Sequence, residues 1–341
     1  MNPDMQSLPS ISILVMSYNQ EAYIGACVDS VLSQEYDGEL EIIFCDDNSS
    51  DSTFSIIQEK VYKYTGNRRV IAHQCSKNGR VAVNMNTAVK LSKFDWIMRV
   101  DGDDILHPDR TRLSALAIQK FPEATAISGK LIPFAETYTP VENVNDNELK
   151  FREYSIKDIT THSIPTGLEW WGCMMCMSRR IFSEFGDLPS SCYTLDDTMF
   201  ASRALMLGSF VIIENGVLLY YRRHAGNISS EANTQNLTLS EFIRSDAASR
   251  NYYERGILSH EPILSEIARY INDKPELSIL HIYFKNRFAE LKRQAFFWKK
   301  SWFERIKDAH IQGPFWKKIP WAIRVICPLT YAIAAKYMKK S

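Results

Sequence analysis

The chain has 341 residues, 45% hydrophobic and 23% charged, proportions that exclude a wholly disordered protein. Its 40 basic and 40 acidic residues cancel, so overall charge gives no indication of a nucleic acid or other polyanionic partner. The length calls for one large α/β domain with an extension, or for two domains.

In chain order, "MNPDMQSLPS" has neither a basic n-region nor an apolar h-region, so no secretory signal is read there and a cytoplasmic setting is expected. Ile11 to Met16, Leu40 to Cys45, Val70 to His73 and Trp96 to Val100 are short apolar or β-branched runs. Between them, Ala22 to Ser33, Thr53 to Tyr64 and Val81 to Leu91 repeat their apolar residues at helical spacing. That alternation reads as βαβ units, hence a doubly wound, mostly parallel sheet covered on both faces. Ligands bind such sheets outside the carboxyl ends of the strands. The segments to weigh are therefore Ser17-Tyr18-Asn19, "DDNSSDST" from Asp46, "SKNGR" ending at Arg80, and "DGDD", Asp101 to Asp104. Helix capping is an alternative use for Ser50 to Ser52 and for Asn78-Gly79. It cannot employ all of Asp101 to Asp104, because Pro108 starts the next helix beyond them.

Further on, "WGCMMCMS" reads as a buried strand, "RRIFSEFG" as a short helix ended by Gly186, and "LDDTMFASRALMLG" as a helix from Asp196 or Asp197 to Gly208. "FVIIENGVLLYYRRHAGNIS" has the pattern of a hairpin turning at Asn215-Gly216. Beyond about Asn236 the spacing is helical almost to the end, and a boundary is placed there. Seven cysteines, an odd number, suit a reducing compartment, and Cys173 with Cys176 read as buried thiols rather than a zinc or redox pair. The Asn227 and Asn236 sequons are then idle.

Three clustered carboxylates repel one another unless a cation or solvent separates them. Asp101 and Asp103 supply hard oxygens suited to Mg²⁺ or Mn²⁺, too few to cage the ion alone, and a diphosphate is the natural missing ligand.

With those residues in view, positions 10 to about 230 resemble glycosyltransferase family 2, the inverting enzymes of the GT-A fold. "SILVMSYNQEAYIGACVDSVLSQ" resembles its first strand and helix, "EIIFCDDNSSDST" its second strand with paired Asp, and "DGDD" its DXD motif. "LDDTMFASRAL" resembles its catalytic segment, usually Glu-Asp, and "YYRRHAGNIS" its late His-bearing loop. The resemblance implies a nucleotide-sugar donor held by Ser17, Tyr18, Asn19, Asp47, Arg80, Asp101 and Gly102. It implies a Mn²⁺ or Mg²⁺ ion at Asp103, with Asp101 and His224, and a general base at Asp197, with Asp196 as the other choice. A single base suffices, since a nucleoside diphosphate leaves as a metal-stabilised anion.

The implied organisation is a GT-A catalytic domain over 1–236, with a donor half at 10–110 and an acceptor half at 111–236, followed by a helical region over 237–341. The family's processive synthases carry QxxRW and membrane-spanning helices. Here Gln294 is followed by "AFFW" and no apolar run reaches the ~18 residues of a span, so transfer of a single sugar fits better. The acceptor by analogy is a saccharide or lipid-linked saccharide of bacterial surface polysaccharide. From Lys292 onward, 12 basic residues face two acidic ones, and the aromatic, basic stretch 313–341 suits an in-plane anchor on an anionic membrane. That places the chain peripherally on the inner face of the cell membrane. A sugar-phosphate nucleotidyltransferase would instead show a Gly-rich phosphate loop after the first strand. An inactive nucleotide-sugar-binding relative would tolerate loss of the acidic motifs, which are present.

Overall fold

The computed structural model describes residues 7–161, 163–164, 171–192, 196–224, 227 and 239–299, with the backbone alone at 196, 239–253, 294 and 297–299. Four strands open the fold: β1 (Ile11–Ser17), β2 (Leu40–Asp46), β3 (Arg69–Gln74) and β4 (Trp96–Asp101). All pair in parallel in the order β3-β2-β1-β4, joined by helices α1 (Ile24–Leu32), α2 (Thr53–Tyr62) and α3 (Arg80–Leu91). Because successive side chains of a strand point to opposite faces, β1 feeds two cores. Ile11, Ile13 and Val15 pack with Ile24, Val28 and Val31 of α1, while Leu14 and Met16 pack with Met85 and Ala88 of α3. Covering both faces explains why the strands read as unbroken apolar runs.

The sheet continues past β4 through β8 (Cys176–Ser178), β6 (Ala124–Phe134), β9 (Ser209–Arg222) and β5 (Ile105–Leu106), and β7 (Phe151–Tyr154) also pairs with β9. Helix α4 (Arg110–Lys120) lies between β5 and β6, and α5 (Arg180–Ser183) follows β8. Gly186 sits at φ +79° just beyond α5, with its N–H donating to Phe182 O, which ends that helix as anticipated. "WGCMMCMS" is only partly strand: Gly172–Met174 forms a 3-10 turn before β8.

The hairpin at Asn215-Gly216 is absent. β9 runs in one direction through Arg222, and its register with β6 slips between the Ser128/Ile212 and Lys130/Val217 pairs. Its first half pairs antiparallel with β7 and its last residues with β5, so the extra residues form a bulge where the strand changes neighbours. The Asn215 side chain bonds the Lys150 N–H and the Glu148 carbonyl there, outside any two-residue turn.

The segment with Asp196 and Asp197 forms α6 (Asp196–Leu207), and the described residues end with α7 (Leu239–Tyr270) and α8 (Leu277–Lys299). Ile263, Ile267, Leu280 and Phe284 share one core with Met199, Phe200 and α3, so these helices are built onto the sheet's second face. Arg203 of α6 makes two bonds to Glu266 of α7 at 2.9 and 3.0 Å and donates to the Gly186 carbonyl. The basic stretch 313–341 and the boundary near 236 lie outside the described residues, and no helix among the described residues is long and apolar enough to cross a membrane.

Candidate active site

The carboxyl ends of β1 to β4 converge as the alternation required, and most of the expected residues meet there. Asp46, fully buried, accepts from Ser17 Oγ at 3.1 Å, Ser49 N–H at 2.8 Å and Gln74 Nε2 at 3.2 Å, so it ties β1, β2 and β3 together. Asn19, in the left-handed region at φ +49°, accepts from the Ser50 N–H at 2.9 Å and donates its own N–H to Ser49 Oγ at 2.8 Å. Tyr18 beside it is exposed. Asp47 receives the Gly79 and Arg80 N–H groups, each at 2.8 Å, one on either oxygen. These are donors left over at the start of α3, and they oppose the burial that raises the Asp47 carboxyl above its ordinary range. The carboxylate thus also fixes Arg80, itself at φ +65°, on the rim. Capping at α2 falls to Asp51, whose Oδ1 accepts from the Thr53 N–H and hydroxyl, rather than to Ser50 or Ser52.

The DGDD segment is built to hold its acids apart in different surroundings. Gly102 donates its N–H to Met16 O at 2.8 Å, and a Cβ there would stand 2.5 Å from Gln20 Oε1 and 2.9 Å from Ile24 Cδ1, so a side chain between the two acids would have to displace its neighbours. Asp103 Oδ2 meets His224 Nε2 at 2.9 Å, joining the end of β4 to the loop after β9. The Asn227 amide donates toward the same oxygen at 3.4 Å, and the His224 ring packs against Tyr23 with centroids 4.4 Å apart and planes tilted by 31°. Asp104 is fully buried; Oδ1 takes the Arg222 N–H at 2.9 Å, while Oδ2 meets no hydrogen-bond partner among the described residues. Asp101 is partly exposed and pairs with Arg99 at 3.0 Å.

Electrostatically the cluster holds excess negative charge. Burial, then the Asp101 charge, raises the Asp103 carboxyl, and His224 offsets this only in part. Burial together with Asp103 and Asp101 holds Asp104 well above its ordinary range. A divalent cation relieves this kind of crowding, and Asp103, His224 and Asp101 offer oxygen and nitrogen donors; Asp103 and His224 meet each other, but Asp101 does not complete a three-donor group with them. Among the described residues, the donor atoms that do lie within 4.8 Å of one another are those of Asp101, Asp104 and Cys173. Burial and the Asp104 charge push the Cys173 thiol far up, so it stays protonated and is a poor ligand for a hard ion. Cys176 is pushed up to about 12 by burial, and the cysteines among the described residues are free thiols.

Asp197 stands in the first turn of α6, with Oδ1 accepting from the Thr198 N–H at 2.7 Å. The side chain of Asp196 lies outside the described residues, so no geometry distinguishes it. Sequence reasoning missed Arg99, Arg222 and Gly172. The only signal was a charged residue inside the apolar run "WIMRV"; Arg222 and Gly172 act through contacts far apart in sequence.

A mostly parallel sheet, covered on both faces and ending in this acidic cluster, defines a GT-A glycosyltransferase architecture. A family model for glycosyl transferase family 2 matches residues 12–185, and the chain belongs to that family. A chondroitin synthase of Pasteurella multocida (strain Pm70) is 32% identical over 163 residues, 46% of this chain and 15% of that protein. The chain therefore spans a small part of the length of that relative. Glycosyltransferase GlyG of Streptococcus pneumoniae serotype 4 is 25% identical over 224 residues, 64% of this chain and 72% of GlyG. Among solved structures, S. aureus TarS 1–349 in complex with UDP-GlcNAc has a TM-score of 0.58 at 16% identity, covering 93% of this chain and 81% of that one. Mannosyltransferase PcManGT from Pyrobaculum calidifontis, in complex with GDP-Man and Mn²⁺, has a TM-score of 0.53 at 16% identity, covering 98% and 88%. At these identities the two structures bear on the fold alone.

Proposed function

We propose that the protein is a metal-dependent inverting glycosyltransferase that moves one sugar from a nucleotide sugar, a UDP-hexose or UDP-N-acetylhexosamine, to an acceptor hydroxyl. The observation that carries this reading is the closure of Asp103 onto His224 at the end of β4, within reach of the Asp101 charge. TarS and PcManGT, seen with nucleotide sugars, support a donor of that class.

Asp103 and His224, with Asp101, would hold Mn²⁺ or Mg²⁺, which when bound neutralises the diphosphate and stabilises it as a leaving group. The rim from Ser17 to Asn19, with Asp47, Arg80 and Gly102, lies where base and ribose would bind. Asp197 takes the proton from the acceptor hydroxyl as its oxygen bonds to the anomeric carbon. The bond from that carbon to the diphosphate oxygen breaks on the opposite face and its electron pair leaves with the nucleotide, so an α-linked donor gives a β-linked product.

The acceptor in this reading is a saccharide or lipid-linked saccharide of bacterial surface polysaccharide, met at the inner face of the cell membrane. The chain reaches that face through its basic 313–341 segment, and a chain ending near Gln312 should lose flotation with anionic liposomes. If the truncated chain floats as well as the intact one, the segment has no anchoring role.

The decisive assay is nucleoside diphosphate release from UDP-glucose, UDP-galactose and their N-acetyl forms with Mn²⁺ or EDTA. Release that depends on Mn²⁺ is expected; no release from any donor, or release unaffected by EDTA, would refute the reading.

A further inference from the structure

Arg99 is a charged side chain in a strand whose neighbours Met98 and Val100 are fully buried, and it is 6% exposed itself. Burying a guanidinium is costly unless it is paired, so its partners reveal its use. One is Asp101, two residues along the same face of β4, at 3.0 Å from Nη2. On its other side the guanidinium occupies the space that a side chain at position 172 would fill. A Cβ on Gly172 would lie 1.9 Å from Arg99 Nη1 and 3.3 Å from Asp197 Cβ. Gly172 is held in place as well: Met175 N–H donates to Gly172 O at 3.1 Å, and Arg99 N–H donates to Met175 O at 3.0 Å. The 3-10 turn is thereby stitched to β4 beside Arg99, with α6 against its far side.

We propose that Arg99 is a positioning residue, a planar guanidinium set between Asp101 and Asp197 that fixes the base relative to the donor, and that Gly172 exists to leave it room. This rests on the reading of Asp197 as the base. A guanidinium can present separate N–H edges to groups on two sides, whereas a lysine ammonium is a single point charge and cannot span both. Placement matters here because the base must meet the attacking hydroxyl on the face away from the leaving diphosphate, and an error of about 1 Å in such placement can cost about 10²-fold in rate.

The test uses the full chain and the panel donor from which the wild type releases most nucleoside diphosphate with Mn²⁺, water replacing the acceptor. Arg99→Lys should lower kcat by about 10²-fold, with KM for the donor changed much less. Gly172→Ala should give a similar loss in the wild-type background but little further loss in Arg99→Ala, because the atoms that its Cβ displaces are then gone. Wild-type kcat in Arg99→Lys, or an equal cost of Gly172→Ala in both backgrounds, would overturn the proposal. Asp197→Asn is assayed in parallel: if it keeps wild-type kcat, the reading of the base fails, whereas an inactive Asp197→Asn beside a fully active Arg99→Lys removes the role of Arg99 alone.

Discussion

Gly102→Ala probes the acidic loop without touching a carboxylate. The new Cβ would lie 2.5 Å from Gln20 Oε1, 2.9 Å from Ile24 Cδ1 and 3.2 Å from the Met16 carbonyl. The first two are ends of flexible side chains and can retreat. The third is backbone of β1, and it also accepts the Gly102 N–H at 2.8 Å, so the loop itself must shift by a few tenths of an ångström. Overpacking of this kind costs about 1–3 kcal/mol. At about 2–4 °C per kcal/mol, the relation for domains of 150–250 residues, the melting temperature should fall by about 2–12 °C. The same shift displaces Asp101 and Asp103 together, so calorimetric binding of UDP in Mn²⁺ should weaken along with stability. A Gly102→Ala protein with the wild-type melting temperature and wild-type binding would refute the argument that this position is glycine for lack of space.

Asp197→Asn should bind UDP with Mn²⁺ as the wild type does and release nucleoside diphosphate from its donor about 10²- to 10⁴-fold more slowly; if Asp196→Asn does so instead, the base is the other acid. A raised carboxyl means that folded Asp104 keeps a proton that the unfolded chain gives up, so its contribution to stability is full below about 3.9 and is lost as pH rises through its folded value. In metal-free buffer, denaturation of wild type and Asp104→Asn at about pH 4.5 and about pH 8 should therefore show the difference moving in the variant's favour at the higher pH. A pH-independent difference would contradict this.

The stretch from residue 10 to 110 was legible because its strands are covered on both faces and read as apolar runs, with helices of regular spacing between them. The acidic residues at the strand ends were legible too, since unpaired carboxylates after buried strands have few structural uses. The later strands were harder to read. β6 carries Gly129, Lys130 and Pro133, and half of it is only partly buried, so no simple period marks it. In β9, Asn215-Gly216 carries a hairpin signature, yet it serves a bulge whose reason is the exchange of β7 for β5 as neighbour, a fact of tertiary pairing. Arg99 and Gly172 were hidden for a similar reason. A buried arginine announces a partner without naming it, and the glycine's purpose appears only once the guanidinium is seen in its place.

The central claim is that Asp103 and His224 hold a divalent ion through which the nucleotide diphosphate is bound. Titration calorimetry of UDP and GDP into the full chain tests it without knowledge of donor sugar or acceptor. One of these nucleotides should bind in Mn²⁺, lose that binding in EDTA and lose it equally in Asp103→Ala with Mn²⁺ present, while Asp109→Ala binds as the wild type. Equal nucleotide affinity with and without Mn²⁺, or unchanged Mn²⁺-dependent binding in Asp103→Ala, would contradict it.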